Sequence, residues 1–233
     1  MLIDGQLSFA QSSRSLKPQE LQSAQQLGFS LKEIPVALEG IAIAVHPSLT
    51  IPGLTLDQLR SIYTGQVTNW NQVGGPNLPL TPYTRSLDSG GTVEFFASTV
   101  LLGNSFGSNA RIIGTTTEAL RAVSADVGGI YYASAPEVVG QCTTKPLPIG
   151  IQSNQLVPIH QGALVPPAQC PAQRNQINFD ALLDGSYPIT RRLTVIVKEN
   201  GQLDEQAGIA YAEMMLSEEG QQQLAVSGFV HIR

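Results

Sequence analysis

Residues 84–96 read Thr84-Arg85-Ser86-Leu87-Asp88-Ser89-Gly90-Gly91-Thr92-Val93-Glu94-Phe95-Phe96. An extended segment precedes this stretch, and an apolar helix start follows the glycines. The first N–H groups of a helix lack partners within the helix and carry partial positive charge, and glycines let an anion approach the backbone closely. An arginine can hold a tetrahedral oxyanion with two hydrogen bonds. The stretch therefore predicts a small-oxyanion cradle built from the Arg85 guanidinium, backbone N–H groups and two hydroxyls.

The same residues also allow a purely structural interpretation. Serine and threonine are common N-caps of helices, so Ser89 or Thr92 could simply cap the helix that follows. The stretch alone does not decide between a cap and a cradle, and the rest of the chain has to be weighed.

Composition and charge exclude several classes of protein. The chain has 233 residues, of which 42% are hydrophobic and 13% charged, so it is long enough for one large domain or two lobes. Its net charge is −5 and it has no basic run, which argues against a nucleic-acid partner. No stretch approaches the roughly 20 apolar residues of a membrane span. His46, His160 and His231 are scattered, so we expect no metal site, and no motif points to a cofactor.

The two cysteines and the N-terminus bear on the compartment. Cys142 and Cys170 flank a segment rich in Pro and Gln. They are either two buried thiols or a disulfide that closes a loop and contributes roughly 3–4 kcal/mol. We favour the disulfide, because the segment is loop-like and low in charge, as exported proteins often are. The sequence begins without a charged and apolar leader, so the protein is either cytoplasmic or lacks its leader here.

Strand and helix patterns alternate along the chain, which predicts an α/β architecture with a mainly parallel sheet. Two runs rich in β-branched residues predict buried strands over 33–45 and 193–197. Predicted helices cover 18–27, 55–63, 91–102, 116–125 and 204–226, with Ser217 placed to cap a second helix inside the last segment. The region from Cys142 to Asn178 is expected to be a surface excursion.

Seven segments along the chain form a recognisable set: 7–16 (LSFAQSSRSL), 33–45, 62–70 (IYTGQVTNW) with Gly74-Gly75, the 85–96 cradle, 129–132 (GIYY), 187–191 (YPITR) and 216–221 (LSEEGQ). Together and in this order they resemble one family, the phosphate-binding proteins of ABC phosphate transporters. The combination covers nearly the whole chain, although each piece is short.

This resemblance implies a two-lobed type 2 periplasmic-binding-protein fold with mixed, mainly parallel sheets. The first lobe would hold residues 1–43 and 188–233, and the second lobe 44–187. The resemblance also implies that Arg85, Ser89, Gly90, Gly91 and Thr92 contact the oxyanion from the second lobe. Ser12 and Ser13 would face the oxyanion from the first lobe.

The sequence departs from the family pattern in two places. The best-known members carry an aspartate where Ser13 falls, and that carboxylate accepts a hydrogen bond from protonated phosphate. One basis for preferring phosphate over sulfate is therefore weakened. Asp88 is either a substitute for that carboxylate or a solvated turn residue, and we favour the turn residue. Only six residues precede the segment matching the family's third strand, so we expect the first lobe to be incomplete and to lack two βα units.

The expected function is a solute-binding module that captures a tetrahedral oxyanion, foremost phosphate, for an ABC-type uptake system. Its partners would be inorganic phosphate, a transporter permease, and a second copy or another protein covering the incomplete lobe. The expected location is periplasmic or extracytoplasmic. An alternative is a sensory or protein-interaction domain that has lost tight ligand binding. A hydrolase using Ser89 is disfavoured, because no base lies at a suggestive sequence distance, so we assign no catalytic residue.

Four other side chains are expected to be structural. Arg14, Arg191 and Arg192 are interpreted as pairing residues, and Trp70 as part of the core.

Overall fold

A computed structural model of the chain describes residues 1–232. In chain order its strands are β1 (Phe9–Ser12), β2 (Ser30–Val45), β3 (Leu54–Thr55), β4 (Thr81–Thr84), β5 (Arg111–Ile112), β6 (Gly129–Ser134), β7 (Lys145–Leu147), β8 (Ile149–Gly150) and β9 (Thr190–Glu199). Its α-helices are α1 (Pro18–Gln26), α2 (Leu56–Tyr63), α3 (Gly91–Thr99), α4 (Thr116–Ala125), α5 (Ala135–Val138), α6 (Phe179–Leu183), α7 (Leu203–Leu216) and α8 (Glu218–Val226).

The chain divides into two compact units. The first unit holds Met1–Glu39 and the chain from Arg191 onward, and the second holds Gly40–Thr190. Strands β2 and β9 therefore contribute residues to both units. Each boundary lies a few residues from the lobe boundary expected from the sequence, and the division into lobes remains a prediction.

In the first unit, helix α7 packs against strands β1, β2 and β9. Strand β1 pairs with β9, with Phe9 opposite Val197 and Ser12 opposite Thr194. The buried residues of its hydrophobic cluster come from β2, β9 and α7, and they are Val36, Val195, Val197 and Ala212. Glu39 and Arg191 are also buried in this unit and form an ion pair of 2.6 Å. The expectation that Arg191 is a pairing residue is confirmed.

The second unit contains the sheet that carries the predicted cradle. Strand β6 pairs antiparallel with β2, where Ile43 lies opposite Tyr132, and parallel with β4, where Thr81 lies opposite Gly129. Strand β5 pairs parallel with β4, and β7 pairs antiparallel with the other edge of β2. A separate parallel pair joins β3 to β8. The carboxyl end of β4, at Thr84, leads directly into the cradle.

The expectation of mainly parallel sheets needs correction, although the sheets are mixed as expected. The longest described pairings, β1 with β9 and β2 with β6, are both antiparallel. The buried apolar run at 41–45 suggested a parallel strand. In the structure β6 and β7 flank this run at its two edges, and both pairings are antiparallel. Burial on both faces marks a central strand whatever the direction of its partners.

Local helix signals are confirmed more closely. Helix α4 spans Thr116–Ala125 as predicted, and the Thr115 hydroxyl accepts a hydrogen bond from the Glu118 N–H. The last predicted helical segment divides into α7 and α8, and the Ser217 side chain caps α8. Helix α3 ends at Thr99, earlier than expected, and Leu102 follows with a left-handed φ of 51° that a helix does not accommodate.

The segment from Cys142 to Asn178 is less loop-like than expected. Strand β7 of this segment extends the sheet beside β2, and β8 pairs with β3. The structure joins Cys142 to Cys170 in a disulfide with Cα atoms 5.6 Å apart. Neither cysteine is therefore a buried thiol.

Aromatic side chains fill the core of the second unit. Trp70 is fully buried and donates its indole N–H to the carbonyl oxygen of Gly128 at 3.0 Å, which confirms that it belongs to the core. Tyr63 from α2, Phe96 from α3 and Tyr132 from β6 are also buried and contact one another through their rings. This cluster packs α3 against the sheet that leads into the cradle.

Candidate functional site

The predicted cradle lies between the end of β4 and the start of α3. After Thr84 the chain passes Arg85, forms a short 3-10 turn at Leu87–Ser89, and reaches Gly90, the N-cap of α3. Gly90 has φ 127° and ψ 176°, a backbone conformation that is essentially restricted to glycine. This glycine turns the chain so that α3 begins with its N-terminus beside the Arg85 turn.

The N-cap residue of α3 is Gly90, which has no side chain that could cap the helix. Ser89 donates its hydroxyl hydrogen to the Ser86 carbonyl oxygen at 2.6 Å, and its oxygen lies 2.8 Å from the Ser86 hydroxyl. Ser89 thus stabilises the turn before the helix and does not cap α3. Thr92 is the second residue of the helix, half-buried, rather than its cap. The capping alternative weighed from the sequence is wrong.

The conformation of Gly90 gives a direct prediction. A Cβ atom at Gly90 meets nothing within 4 Å, so an alanine there acts through backbone strain and not through a clash. We expect Gly90→Ala to lower the free energy of unfolding by about 1–3 kcal/mol in urea titrations. Gly140→Ala is the matched control, because Gly140 also has open space around its Cβ position but no left-handed φ. Equal stability of the two variants would contradict the prediction.

Arg85 precedes this turn and is hydrogen-bonded to its last residue. The residue is half-buried, and its Nη2 donates to the Ser89 carbonyl oxygen at 2.9 Å. Its Nε is buried and has no hydrogen-bond partner among residues 1–232. A buried N–H donor without an acceptor is unfavourable by about 1–3 kcal/mol, so this position favours an added acceptor such as an anion oxygen.

Tyr131 and Tyr132 lie next to the predicted cradle, and the sequence alone assigned no function to either side chain. Tyr131 and Tyr132 lie in β6 and are buried, and burial raises the pKa of both phenols while the positive charge of Arg85 lowers them by a smaller amount. Tyr132 contacts Thr84, the residue before Arg85, with their hydroxyl oxygens 2.7 Å apart. The GIYY motif at 129–132 was visible in the sequence, but no local signal connected it to residues 48 positions earlier.

Asp88 lies in the exposed part of the turn. A hydrogen bond from Ser86 lowers the pKa of the Asp88 carboxyl, which keeps it ionised at neutral pH. An exposed, ionised carboxylate agrees with its interpretation as a solvated turn residue.

Ser12 and Ser13 lie in the first unit, at the end of β1 and just after it. The Ser12 hydroxyl donates to the Arg14 carbonyl oxygen at 2.7 Å, and Ser13 is half-buried. Arg14 makes two hydrogen bonds to the Glu20 carboxylate, of 2.9 and 2.7 Å, and this pairing lowers the pKa of Glu20 to about 2. The expected structural role of Arg14 is confirmed, while a ligand role for Ser12 and Ser13 remains a prediction.

Two further observations concern the chain as a whole. Across residues 1–232, no three His, Cys, Asp or Glu side chains are grouped in a way that could hold a metal ion. Within the same range, every helix is too short or too polar to cross a membrane.

The comparison with a family model decides the relationship. A sequence model described as the PBP superfamily domain matches residues 1–219. The chain belongs to the PBP superfamily. The match includes the whole cradle at 84–92 and the first-unit serines.

Two relatives align with half or more of this chain. The phosphate-binding protein PstS of Pseudomonas aeruginosa is 26% identical, in an alignment covering 98% of this chain and 69% of PstS. The protein SphX of Synechococcus elongatus is 30% identical over 55% of this chain, which corresponds to 40% of SphX. The chain thus spans only part of the length of these two relatives.

Two solved structures share the fold of this chain. A phosphate ABC transporter substrate-binding protein from Clostridium perfringens, solved with bound phosphate, matches with a TM-score of 0.75 and 25% identity. That match covers 99% of this chain and 82% of the other. An ABC-type phosphate transport receptor from Vibrio cholerae matches with a TM-score of 0.73 at 22% identity, covering 99% of this chain and 82% of the receptor.

Proposed function

We propose that this chain captures a tetrahedral oxyanion, foremost inorganic phosphate, as the solute-binding component of an ABC-type uptake system. In this proposal Arg85 neutralises the anion's charge, and the N–H groups of Gly90, Gly91 and Thr92 donate to its oxygens. Ser89 and Thr92 add hydroxyls from the second lobe, and Ser12 and Ser13 add hydroxyls from the first.

The observation that carries the proposal is the half-buried arginine beside a helix that begins at a glycine. The helix start offers backbone donors and partial positive charge. The buried Arg85 Nε adds a donor without a partner among the described residues. An oxyanion with several acceptor oxygens matches both features at once, because one oxygen can accept from the guanidinium while others accept from the helix N-terminus.

The relatives support phosphate as the first ligand to test. PstS of Pseudomonas aeruginosa is named a phosphate-binding protein, and the Clostridium perfringens relative was solved with phosphate bound. Since this chain spans only part of PstS and SphX, their whole-protein activity comes to it only as a proposal.

Selectivity among oxyanions is expected to be modest. The resemblance to phosphate-binding proteins implies that Ser13 takes the place of an aspartate of the best-known members, and Asp88 is exposed and ionised in its turn. A carboxylate in the site accepts a hydrogen bond from protonated phosphate. It disfavours sulfate, because sulfate has no proton to donate at neutral pH. Without such an acceptor, hydroxyl and N–H donors serve phosphate and sulfate alike.

Binding rather than catalysis is proposed. The hydroxyl of Ser89, the candidate nucleophile, contacts Ser86 rather than a histidine or lysine. A serine nucleophile needs an adjacent base to become reactive. The local contacts of Ser89 therefore do not favour a nucleophilic role.

The location and partners follow from the same proposal. The Cys142–Cys170 disulfide agrees with an oxidising, extracytoplasmic compartment. A transporter permease would recognise the ligand-bound form. A second copy of the chain or another protein would associate with the first lobe, and sedimentation velocity would detect self-association.

A thermal-shift titration tests the proposal on protein freed of phosphate, with sulfate and molybdate as parallel ligands. At a hundredfold excess over Kd a ligand stabilises the folded state by about 2.7 kcal/mol, which raises the Tm by about 5–10 °C for a chain of this size. A shift with phosphate, whether alone or together with the other two anions, supports the oxyanion cradle. No shift with any of the three overturns it and favours the interaction-module alternative.

A further inference from the structure

A chain of hydroxyl groups reaches Arg85 from the interior of the second unit. Thr84 is 1% exposed, and its hydroxyl donates to the Arg85 carbonyl oxygen at 3.1 Å. The same Thr84 oxygen lies 2.7 Å from the Tyr132 hydroxyl. Tyr132 is also 1% exposed, so both hydroxyls are shielded from solvent.

The direction of these hydrogen bonds follows from proton counting. A threonine hydroxyl has a single hydrogen, and Thr84 uses it on the Arg85 carbonyl oxygen. Tyr132 must therefore be the donor in its contact with Thr84. Two hydrogen bonds therefore follow one another, from the Tyr132 hydroxyl to the Thr84 hydroxyl and from there to the Arg85 carbonyl oxygen. Hydrogen bonds in such a series strengthen one another.

The Tyr132 ring connects this chain of hydroxyls to the helix of the cradle. It stacks on Phe96 of α3 with ring centroids 3.7 Å apart and planes 3° apart. Tyr63 packs edge-on against both rings, at 4.9 Å from Phe96 and 5.4 Å from Tyr132. One buried side chain therefore contacts both the strand end that carries Arg85 and the helix whose N-terminus begins at Gly91.

We propose that the Tyr132 hydroxyl is a positioning group that fixes Arg85 relative to the N-terminus of α3. It does so through Thr84, which holds the Arg85 peptide, while Ser89 holds the guanidinium from the other end. The inference rests on the proposed phosphate site. In this proposal Tyr132 increases the affinity for phosphate without contacting the ligand.

Tyr132→Phe tests the proposal, because it removes the hydroxyl and keeps the ring stack. We expect phosphate binding, measured by calorimetry, to weaken about fivefold to tenfold, since one buried hydrogen bond is lost. Tyr187→Phe is the matched control. Tyr187 is equally buried and donates to the Ile41 carbonyl oxygen at 2.8 Å, so its loss should lower the Tm and leave phosphate affinity unchanged.

Two further variants separate positioning from general destabilisation. Thr84→Ser keeps the hydroxyl and should bind phosphate like the native chain, whereas Thr84→Val should weaken binding as Tyr132→Phe does. In an Arg85→Lys background, Tyr132→Phe should change affinity by less than about twofold, because the two residues act through one group. An equal loss in both backgrounds, or an unchanged affinity for Tyr132→Phe alone, overturns the inference.

An NMR measurement without ligand keeps this inference distinct from the proposed function. The buried Arg85 Nε–H should exchange slowly with solvent in the native chain and faster in Tyr132→Phe than in Tyr187→Phe. If phosphate fails to bind but this difference is seen, the proposed function is wrong and the positioning role of Tyr132 stands. If phosphate binds and the two variants exchange alike, the positioning role is wrong.

Discussion

We expect Arg85→Ala to weaken phosphate binding by at least about a hundredfold. Arg85 is the only cationic residue in the 84–96 stretch, and its guanidinium lies beside the N-terminus of α3. Hydrogen bonds from a charged donor contribute about 1.5–3 kcal/mol each, and a bidentate pair lost together corresponds to about two orders of magnitude in Kd. Isothermal titration calorimetry on protein freed of phosphate measures the change.

A control for charge accompanies this variant. Arg121→Ala removes the same charge from an exposed position on α4, so it should leave Kd within about twofold. Arg85→Lys keeps the charge but loses the planar two-donor geometry and should fall between the native chain and Arg85→Ala. A phosphate Kd for Arg85→Ala within threefold of the native value would remove Arg85 from the site.

Arg191→Met lowers the free energy of unfolding by about 3–5 kcal/mol. The Arg191 Nε and Nη2 lie 2.7 and 2.6 Å from the same Glu39 carboxylate oxygen, and the two side chains are only 5% and 4% exposed. Removing the guanidinium leaves a buried carboxylate without its cation, which is strongly unfavourable. Urea unfolding followed by circular dichroism measures the loss.

The paired replacement distinguishes this cause from lost packing. Glu39→Leu together with Arg191→Met removes both charges and should recover most of the stability, because neither partner is then left buried alone. Lys32→Met is the surface control, since Lys32 and Glu199 lie 3.9 Å apart and are 56% and 41% exposed. That pair should contribute less than about 1 kcal/mol. Equal effects for Arg191→Met and Lys32→Met would contradict the argument.

The sequence by itself determined the features that depend on near neighbours along the chain. Helix α4 begins after the Thr115 cap and ends where its pattern ends, and the Ser217 cap separates α7 from α8. The order arginine, turn, glycine, helix likewise specified where the turn between β4 and α3 lies. These features are local because caps, turns and helical periodicity involve residues within about four positions of one another.

Only the tertiary structure decided the features that join distant residues. The antiparallel partners of β2, the ion pair between Glu39 and Arg191, and the contact between Tyr132 and Thr84 each bring together residues far apart in sequence. A side-chain pattern reports whether a residue is buried but not which partner buries it. Strand direction and hydrogen-bond partners are therefore fixed only when the whole chain packs. The hydrogen bond between Tyr132 and Thr84, next to Arg85, is one such partnership.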